Sequence, residues 1–451
     1  MTATDLTVDA TGVTATRRRR AFVLLGGVQA TLIFTLAAIG VPLPEIGREL
    51  GLERADLILL SAAYGLTFAG LLLFGGRLAD RYGGRRVLAA GLLLFATASA
   101  AAPFSPTFEA LLAARFAQGA GAALVAPAAM AVLRAVFPSP AAYGHAMATW
   151  GGLSVLGATA GNLLSGPLAE ALSWRWTFAP PFVVAVVALG LTPWLLPDTA
   201  PNRGRTLDLP GALLATSGLT LGSYALVVTD ARPWSSAGVL VPLVAGAALL
   251  GAFLLAERRI RDPLLPPRFL LDRRRALALA TIALSACGTA ITFVLLSLHF
   301  QQERGWSPSQ TSAAFVPFAV ALIASGRAAG PLIGRYGPRA VTAAGLGTGA
   351  AGLVLLGLTG LDAAIPYAYG PLPGLVLLPA GVAASFAGAA VLATDGVPRE
   401  QTGLAGGLLN TAMEFGPTVL FAALLTLGGD ASSLAATGAA LAVAALAHHR
   451  G

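Results

Sequence analysis

The sequence predicts an all-α polytopic membrane protein with two six-helix halves and an inserted central helix pair, 14 transmembrane helices in total. Of its 451 residues, 56% are hydrophobic and 11% are charged, whereas a soluble domain carries roughly 25% charged residues. Fourteen apolar segments run through the chain, each about long enough to cross a bilayer. A 16-residue stretch also recurs far along the chain. These observations exclude a soluble globular protein.

The apolar segments define the predicted helices in order. They lie near 21–44, 57–75, 87–104, 108–133, 143–168, 176–196, 209–229, 237–256, 276–300, 311–333, 340–360, 371–395, 403–428 and 432–447.

A repeat divides these segments into two groups. GRLADRYGGRRVLAAG at 76–91 returns 254 residues later as GPLIGRYGPRAVTAAG, with ten identical positions. An ungapped repeat of this kind indicates two related halves, and the segments at 209–256 fall outside it. We therefore predict four parts: a tail, an N-terminal half, a central insertion with a basic loop, and a C-terminal half, at 1–20, 21–196, 197–275 and 276–451.

Arginine sets the predicted orientation. All 29 basic residues are arginine, and 22 of them fall in the tails and the alternate loops that are inside if the N-terminus is inside. Arginine-rich loops stay in the cytoplasm, so both termini are predicted to be cytoplasmic in a multi-pass inner or plasma membrane protein. The same distribution explains the positive net charge without nucleic acid. The seven arginines at 257–275 fit either a topogenic connector or a surface helix on anionic lipid.

The recurring stretch also resembles a known motif. It combines one acid with glycines and arginines at fixed spacing, at Gly76, Asp80, Arg81, Gly83, Arg85 and Arg86. This pattern resembles motif A of the major facilitator superfamily, which joins the second and third helices on the cytoplasmic side. The resemblance implies a gating role, in which Asp80 holds the cytoplasmic side shut through Arg85 or Arg86 and a helix N-terminus of the other half. In the second copy Gly334 stands in place of the acid.

Further stretches are similar to the fourteen-helix drug:proton antiporter branch of that superfamily. They are HFQQERGWSPSQTSAAFVPF at 299–318, GLAGGLLNTAMEFG at 403–416 and LSWRWTF at 172–178. The resemblance implies a proton-coupled efflux transporter that exports small lipophilic or cationic compounds, such as drugs and antibiotics, by alternating access. Its expected partners are a small-molecule substrate, protons and the lipid bilayer, and it is expected to function as a monomer.

Two ionisable residues inside predicted spans are the candidates for proton coupling. Arg115 lies in LLAARFAQGAGAA, which resembles motif B of the fourth helix, and Glu414 lies in the middle of the segment 403–428. Such residues cost about 2.5–3.5 kcal/mol on insertion scales and are functional by default. In similar proteins an acid occupies the position of Thr35 in the first span, so here the proton carrier must lie elsewhere. A structural role in hydrogen bonding stays open for both residues.

Polar residues of the spans are candidates for lining a central cavity: Gln29, Tyr64, Gln118, Asn162 and Asn410. Small residues of the fifth span follow motif C, the antiporter signature, in altered form. Gly157, Gly161 and Gly166 let helices approach closely, while Asn162 replaces the expected proline.

No metal cluster, nucleophile–base pair or phosphate loop occurs, so no cofactor, metal ion or catalytic residue is predicted and the protein is not expected to be an enzyme. His448 and His449 at the C-terminal tip are expected to be solvated. Two alternatives stay open. One is a transporter of a single metabolite, which need not be an antiporter; the distant one is a membrane enzyme or a receptor that transports nothing.

Overall fold

The computed structural model describes residues 15–138, 140–199, 208–229, 232–258, 272–395, 408–409, 411–413, 416 and 429–450, and among them it is helical with no strand. The helices are α1 Ala15–Ala37, α2 Leu43–Leu50, α3 Arg54–Tyr82, α4 Gly84–Ala101, α5 Phe108–Val136, α6 Pro140–Ala171, α7 Ala179–Leu195, α8 Leu209–Val228, α9 Ala237–Glu257, α10 Arg273–Leu298, α11 Pro308–Ala314, α12 Val316–Tyr336, α13 Pro338–Leu355, α14 Pro371–Thr394 and α15 Asp430–Arg450.

The predicted apolar segments reappear as long helices. Eleven helical stretches of the described residues are long and apolar enough to cross a membrane. The helices α6 and α8 occupy two further predicted segments, and most of 403–428 lies outside the described residues. The all-helical membrane fold is therefore confirmed, while the count of 14 spans stays a prediction.

The two copies of the repeat make the same tight turn. Helix α3 runs through the arginine-rich motif to Tyr82, and the chain reverses at Gly83, whose φ is +91°. In the second copy Gly337 has a φ of +81° at the corresponding position. Because glycine alone adopts positive φ without strain, one residue completes each turn. Gly76, the first residue of the motif, lies inside α3.

Two predicted spans are broken by proline. The first ends at Ala37, and a separate short helix follows at Leu43–Leu50. The tenth is divided at Phe315 into Pro308–Ala314 and Val316–Tyr336. Proline is favoured in the first turn of a helix because that turn leaves its backbone N–H groups unpaired, and Pro44 and Pro317 begin the new helices in this way.

The inserted pair packs as a hairpin on the N-terminal half. At the α8–α9 crossing, a Cβ on Gly246 would come 2.7 Å from the backbone nitrogen of Gly222. Where α8 meets α3, a Cβ on Gly70 would come 3.1 Å from Thr216. Small residues thus permit the close backbone approach that drives helix association in lipid.

The two ends of the bundle differ in how the halves meet. We call the end with the turns near Gly51, Ser105, Ser173 and Gly305 the seal end, and the end with the Gly83 and Gly337 turns the arginine end. At the seal end, one apolar core combines residues of both halves, including Leu43 and Leu111 with Phe300 and Leu353. The other two cores each contain residues of a single half. The halves therefore share their packing at the seal end.

Candidate transport site

A buried arginine forms the centre of a polar cluster within the N-terminal half. The Arg115 side chain is 0% exposed, and its Nη1 donates to the carbonyl oxygen of Thr35 (3.1 Å) and to Oε1 of Gln118 (3.3 Å). Gln118 Nε2 in turn donates to Ser99 Oγ at 2.9 Å. The Arg115 guanidinium carbon lies 5.0 Å from the centroid of the Tyr64 ring, a distance that permits a cation–π interaction.

Close helix packing brings this cluster together. A Cβ on Gly119 would overlap the carbonyl oxygen of Tyr64, so α5 can approach α3 closely only with glycine here. Thr67 of α3 also donates to the carbonyl oxygen of Phe116 at 2.8 Å. These contacts hold Tyr64 and Arg115 side by side on facing helices.

The hydrogen bonds of Arg115 are incomplete. Its Nε and Nη2 find no acceptor among the residues that the structure describes. Thr35, where similar proteins carry an acid, is therefore next to Arg115 in space but offers only its carbonyl oxygen. A buried guanidinium with unused donors is costly unless an anion or another acceptor completes it, so the cluster is able to bind a negatively charged group.

The predicted cavity residues are buried rather than solvent-lined in this conformation. Gln29, Tyr64, Gln118 and Asn162 are each at most 3% exposed. Gln29 Nε2 donates to Ser154 Oγ at 3.1 Å, and the Tyr64 hydroxyl donates to the carbonyl oxygen of Leu32 at 3.0 Å. Their predicted cavity-lining role would require another conformation.

The motif C glycines lie where α6 meets other helices. A Cβ on Gly157 would overlap the carbonyl oxygen of Ala30, and one on Gly161 would come 2.7 Å from the carbonyl oxygen of Phe34. A Cβ on Gly166 would overlap Pro308 and Ser312 of the C-terminal half. The first two glycines thus fit α6 against α1, and the third fits it against the other half.

Polar contacts join the halves at this third position. Ser312 Oγ donates to the carbonyl oxygen of Asn162 at 2.8 Å and accepts from the Gly166 amide at 3.1 Å. One turn further along, the Ser309 amide donates to Glu170 Oε2 at 2.9 Å. These residues form a latch between α6 and α11, which we call the α6–α11 latch.

Two further contacts bridge the halves at the seal end. Arg54 forms an ion pair with Asp430, and Gln301 Nε2 donates to the carbonyl oxygen of Val41 at 2.8 Å. All of these contacts must break if the halves are to separate there.

The surface of the seal end is held by a carboxylate clamp beside α2. Arg175 and Trp174 both donate to Glu49, with Arg175 Nη2 at 2.6 Å. The hydrogen bonds from Arg175, and to a smaller extent the one from Trp174, hold the pKa of the Glu49 carboxyl below its usual range. The clamp ties α2 to the segment between α6 and α7, within one half.

Comparison with known proteins identifies the fold. The chain matches the model of the Major Facilitator Superfamily over residues 23–421. The chain belongs to the major facilitator superfamily. The fold also resembles the crystal structure of an auto-inhibited POT family peptide transporter, with a TM-score of 0.68, 17% identity and coverage of 96% of both chains.

Curated relatives in this superfamily are resistance and export proteins. The chain is 35% identical to the puromycin resistance protein of Streptomyces alboniger, over 92% of this chain and 83% of that protein. It is also 35% identical to the cephamycin export protein of Amycolatopsis lactamdurans, over 92% of this chain and 85% of that protein. The lincomycin resistance protein of Streptomyces lincolnensis is 30% identical, over 95% and 91%.

Motif A of this major facilitator chain makes contacts within its own half. Arg85 forms an ion pair with Asp198 at 2.9 Å and donates to the carbonyl oxygen of Leu196 at 3.2 Å. A Cβ on Gly83 would come 2.6 Å from the carbonyl oxygen of Thr199. Asp80, Arg81 and Arg86 lie at the same turn. The predicted lock between Asp80 and the other half stays a prediction.

Some predicted residues cannot be placed, and one expectation is wrong. Glu414 and Asn410 lie outside the described residues. His448 was expected to be solvated but is 6% exposed, with Nε2 2.9 Å from Thr281 Oγ1. The last helix packs against α10 along its length and so encloses this side chain.

The sequence analysis did not single out two serines whose hydroxyl groups contribute to the candidate transport site. Ser99 completes the Arg115 cluster, and Ser312 forms the α6–α11 latch. A serine inside an apolar helix has a small insertion cost compared with a charge, and it bonds its own backbone as readily as a neighbour. The GWSPSQ stretch before α11, with Ser307 as a capping box residue, was the one available signal that a helix begins near Ser312.

Proposed function

We propose that this chain exports small lipophilic compounds of the antibiotic type, by alternating access and in exchange for protons. Support for export comes from the relatives, whose names describe resistance to or export of puromycin, cephamycin and lincomycin. Support for the mechanism comes from the two-half fold, which allows the halves to rock around a central site.

The observation that carries the mechanism is the asymmetry between the two ends of the bundle. The α6–α11 latch, the Arg54–Asp430 pair and the shared apolar core all lie at the seal end. At the arginine end each half keeps its own core. Such an arrangement fits one state of an alternating-access cycle, closed at one end and able to open at the other.

The arginine distribution gives this state a direction. We propose that the arginine end and both termini are cytoplasmic, which places the seal end outside the cell. The structure then corresponds to a state in which the outer gate is closed. Export requires the seal end to open, so the latch must break once in each cycle.

Proton coupling is proposed to use Glu414, with Arg115 as its partner. A carboxyl group inside a span can be neutral or charged, and a transport cycle needs one group of this kind. A fixed cation stabilises the charged form of a nearby acid. If the two meet across the halves, Arg115 would set the pH at which Glu414 exchanges its proton.

The test is a resistance and accumulation screen in an efflux-deficient bacterial host, followed by proteoliposomes with an imposed pH gradient. We expect lower accumulation of several lipophilic antibiotics and substrate-induced proton movement. Glu414→Gln should abolish proton-driven transport while leaving substrate binding, because the amide keeps the shape but does not titrate. Export of a single compound would instead support a dedicated metabolite transporter, and export of none would contradict the proposal.

A further inference from the structure

We infer that the exported compound carries an acidic group, such as a carboxylate, and that Arg115 binds this group during transport. The inference rests on the proposed export function and specifies its substrate class. It differs from the expectation of cationic compounds, and the two relatives with the same identity do not decide between them, since puromycin is an amine and cephamycins carry a carboxylate.

The first argument is the unfinished coordination of Arg115. A guanidinium has five N–H donors in a planar fork that matches a carboxylate. Here Nη1 is used twice, and Nε and Nη2 are unpaired among the described residues, although the side chain is 0% exposed. Nε and Nη2 lie on the same edge of the fork, and this edge can receive both oxygens of one carboxylate.

The second argument is the balance of charge within the spans. In the described transmembrane helices, acids occupy only positions close to the helix ends, such as Glu109 in the first turn of α5 and Glu257 at the end of α9. Arg115 lies deeper and its side chain is fully buried, whereas Arg327 is exposed. Across the predicted spans, the single deep acid is Glu414.

The sign of the interior charge follows from this balance. When Glu414 is protonated, no deep acid of the predicted spans balances the buried Arg115 guanidinium, so the surroundings of Arg115 are positively charged. A buried cation in a medium of low dielectric constant repels a second cation and attracts an anion. The charges therefore favour an acidic compound over an amine.

The third argument is the position of Arg115 beneath the seal. Leu111 and Ala114, on the same helix, belong to the apolar core that both halves share. When the halves separate at the seal end, this core opens and the neighbouring Arg115 becomes reachable from the central cavity. Its burial in the present state thus does not prevent contact with substrate later in the cycle.

The test compares acids with their methyl esters. The screen uses cefoxitin and fusidate, which are carboxylates, their methyl esters, and two cationic compounds, the amine puromycin and the quaternary ethidium. For each exported compound, the Kd is then measured on the purified full-length protein, since binding does not require proton coupling. We expect the wild type to bind at least one acid about tenfold or more tightly than its ester, the effect of one or two charge-assisted hydrogen bonds.

The variants assign this preference to Arg115. Arg115→Gln should weaken acid binding about tenfold and change ester binding less than threefold. Arg115→Lys, which keeps the charge and guards against loss of folding, should retain a preference for the acid. Arg48→Gln removes an exposed surface charge and should leave the preference unchanged.

Two outcomes would overturn the inference while leaving the export function intact. These are export of cations and esters only, and equal weakening of acid and ester binding by Arg115→Gln. Export of no compound would overturn the proposed function, and the inference with it.

Discussion

The same helix crossing occurs in both halves, but the buried side chains beside it are polar in the N-terminal half and apolar in the C-terminal half. In the N-terminal half α4 and α5 cross at Gly91 and Gly121, and in the C-terminal half α13 and α14 cross at Gly345 and Gly381, with each added Cβ at most 3.0 Å from the facing backbone. Gly91 and Gly345 end the two copies of the repeat. The glycines therefore align the halves residue by residue.

The alignment pairs the polar cluster with an apolar one. Arg115 and Gln118 lie six and three residues before Gly121, where the other half has Leu375 and Leu378 before Gly381. Counted from the other pair of glycines, Gly91 and Gly345, which are separated by the repeat offset of 254 residues, Ser99 corresponds to Leu353 and Tyr64 to Phe318. All eight side chains are at most 3% exposed, so the two clusters differ in chemistry and not in burial.

This difference supports the proposed role of the polar cluster in transport. Replacing buried ionic groups by apolar residues of similar volume is often neutral or stabilises a protein by about 1–4 kcal/mol. The C-terminal half shows that leucines fit this crossing, and its leucines pack into the core shared by both halves. The N-terminal half retains a costlier solution, which stability alone does not explain.

The largest effect is expected when the cation is moved to the apolar side. Leu375→Arg places a guanidinium among leucines with no prepared acceptors, and an uncompensated buried charge costs about 3–5 kcal/mol. We expect loss of folded protein, measured as yield of the monodisperse peak and as thermal stability in detergent. Leu375→Met is the matched control and should cost less than about 1.5 kcal/mol. A folded, stable Leu375→Arg protein would show that water or polar groups can reach the side chain at this helix crossing.

The reverse exchange should separate stability from function. Arg115→Leu gives the N-terminal cluster the residue of its counterpart, so we expect thermal stability to stay level or to rise. Proton-driven transport should fall by about 100-fold or more, the loss typical of a misplaced site. Flux in proteoliposomes and a melting curve on the same preparation test both parts. Normal flux in Arg115→Leu would assign Arg115 a purely structural role.

The sequence was informative where the physical cost of a residue is large. Long apolar runs predicted the spans, because nothing else explains so few charges, and the cost of a charge in a membrane singled out Arg115. The sequence did not predict that Leu43–Leu50 and Pro308–Ala314 are separate short helices. A proline indicates the end of a helix clearly only where the apolar segment also ends.

The state of the molecule was not predictable in the same way. Tyr64 and Gln118 were expected to line a cavity but are buried, and exposure in a transporter depends on which end is closed. A sequence describes all states of the cycle at once. In the proposed cycle, the contacts through Ser312 and Arg54 form in one state only, so no pattern in either helix alone predicts them.

A smaller effect is expected from the other difference between the halves, at the motif A turn. Asp80→Asn should reduce transport about 5–150-fold, the range of a conformational coupling energy of about 1–3 kcal/mol, without affecting membrane insertion. Gly334→Asp, at the corresponding position of the second copy, should change transport little, because that copy functions without an acid. Flux and surface labelling are the measurements, and near-normal flux in Asp80→Asn would remove the proposed gating role.

The smallest effect on transport is expected from a change at Tyr64, whose ring lies beside the Arg115 guanidinium. Tyr64→Phe gives this position the residue of its counterpart Phe318 and removes the hydroxyl that donates to the carbonyl oxygen of Leu32. The lost hydrogen bond should cost about 0.5–1.5 kcal/mol, because that carbonyl is also within an α-helix and keeps its helical partner. The aromatic face beside Arg115 remains, so transport should be nearly unchanged.

Tyr64→Leu then isolates the ring itself. This change removes both the hydroxyl and the π-face, and a desolvated cation–π contact is worth up to about 2 kcal/mol. We therefore expect a larger fall in thermal stability than in Tyr64→Phe, together with a loss of transport that the phenylalanine variant does not show. If the two variants behave alike, the ring acts as an apolar filler. The polar cluster would then consist of Arg115, Gln118 and Ser99. Tyr64 and Phe318 would have the same packing role in their two halves, and they would not contribute to the chemical difference between the halves.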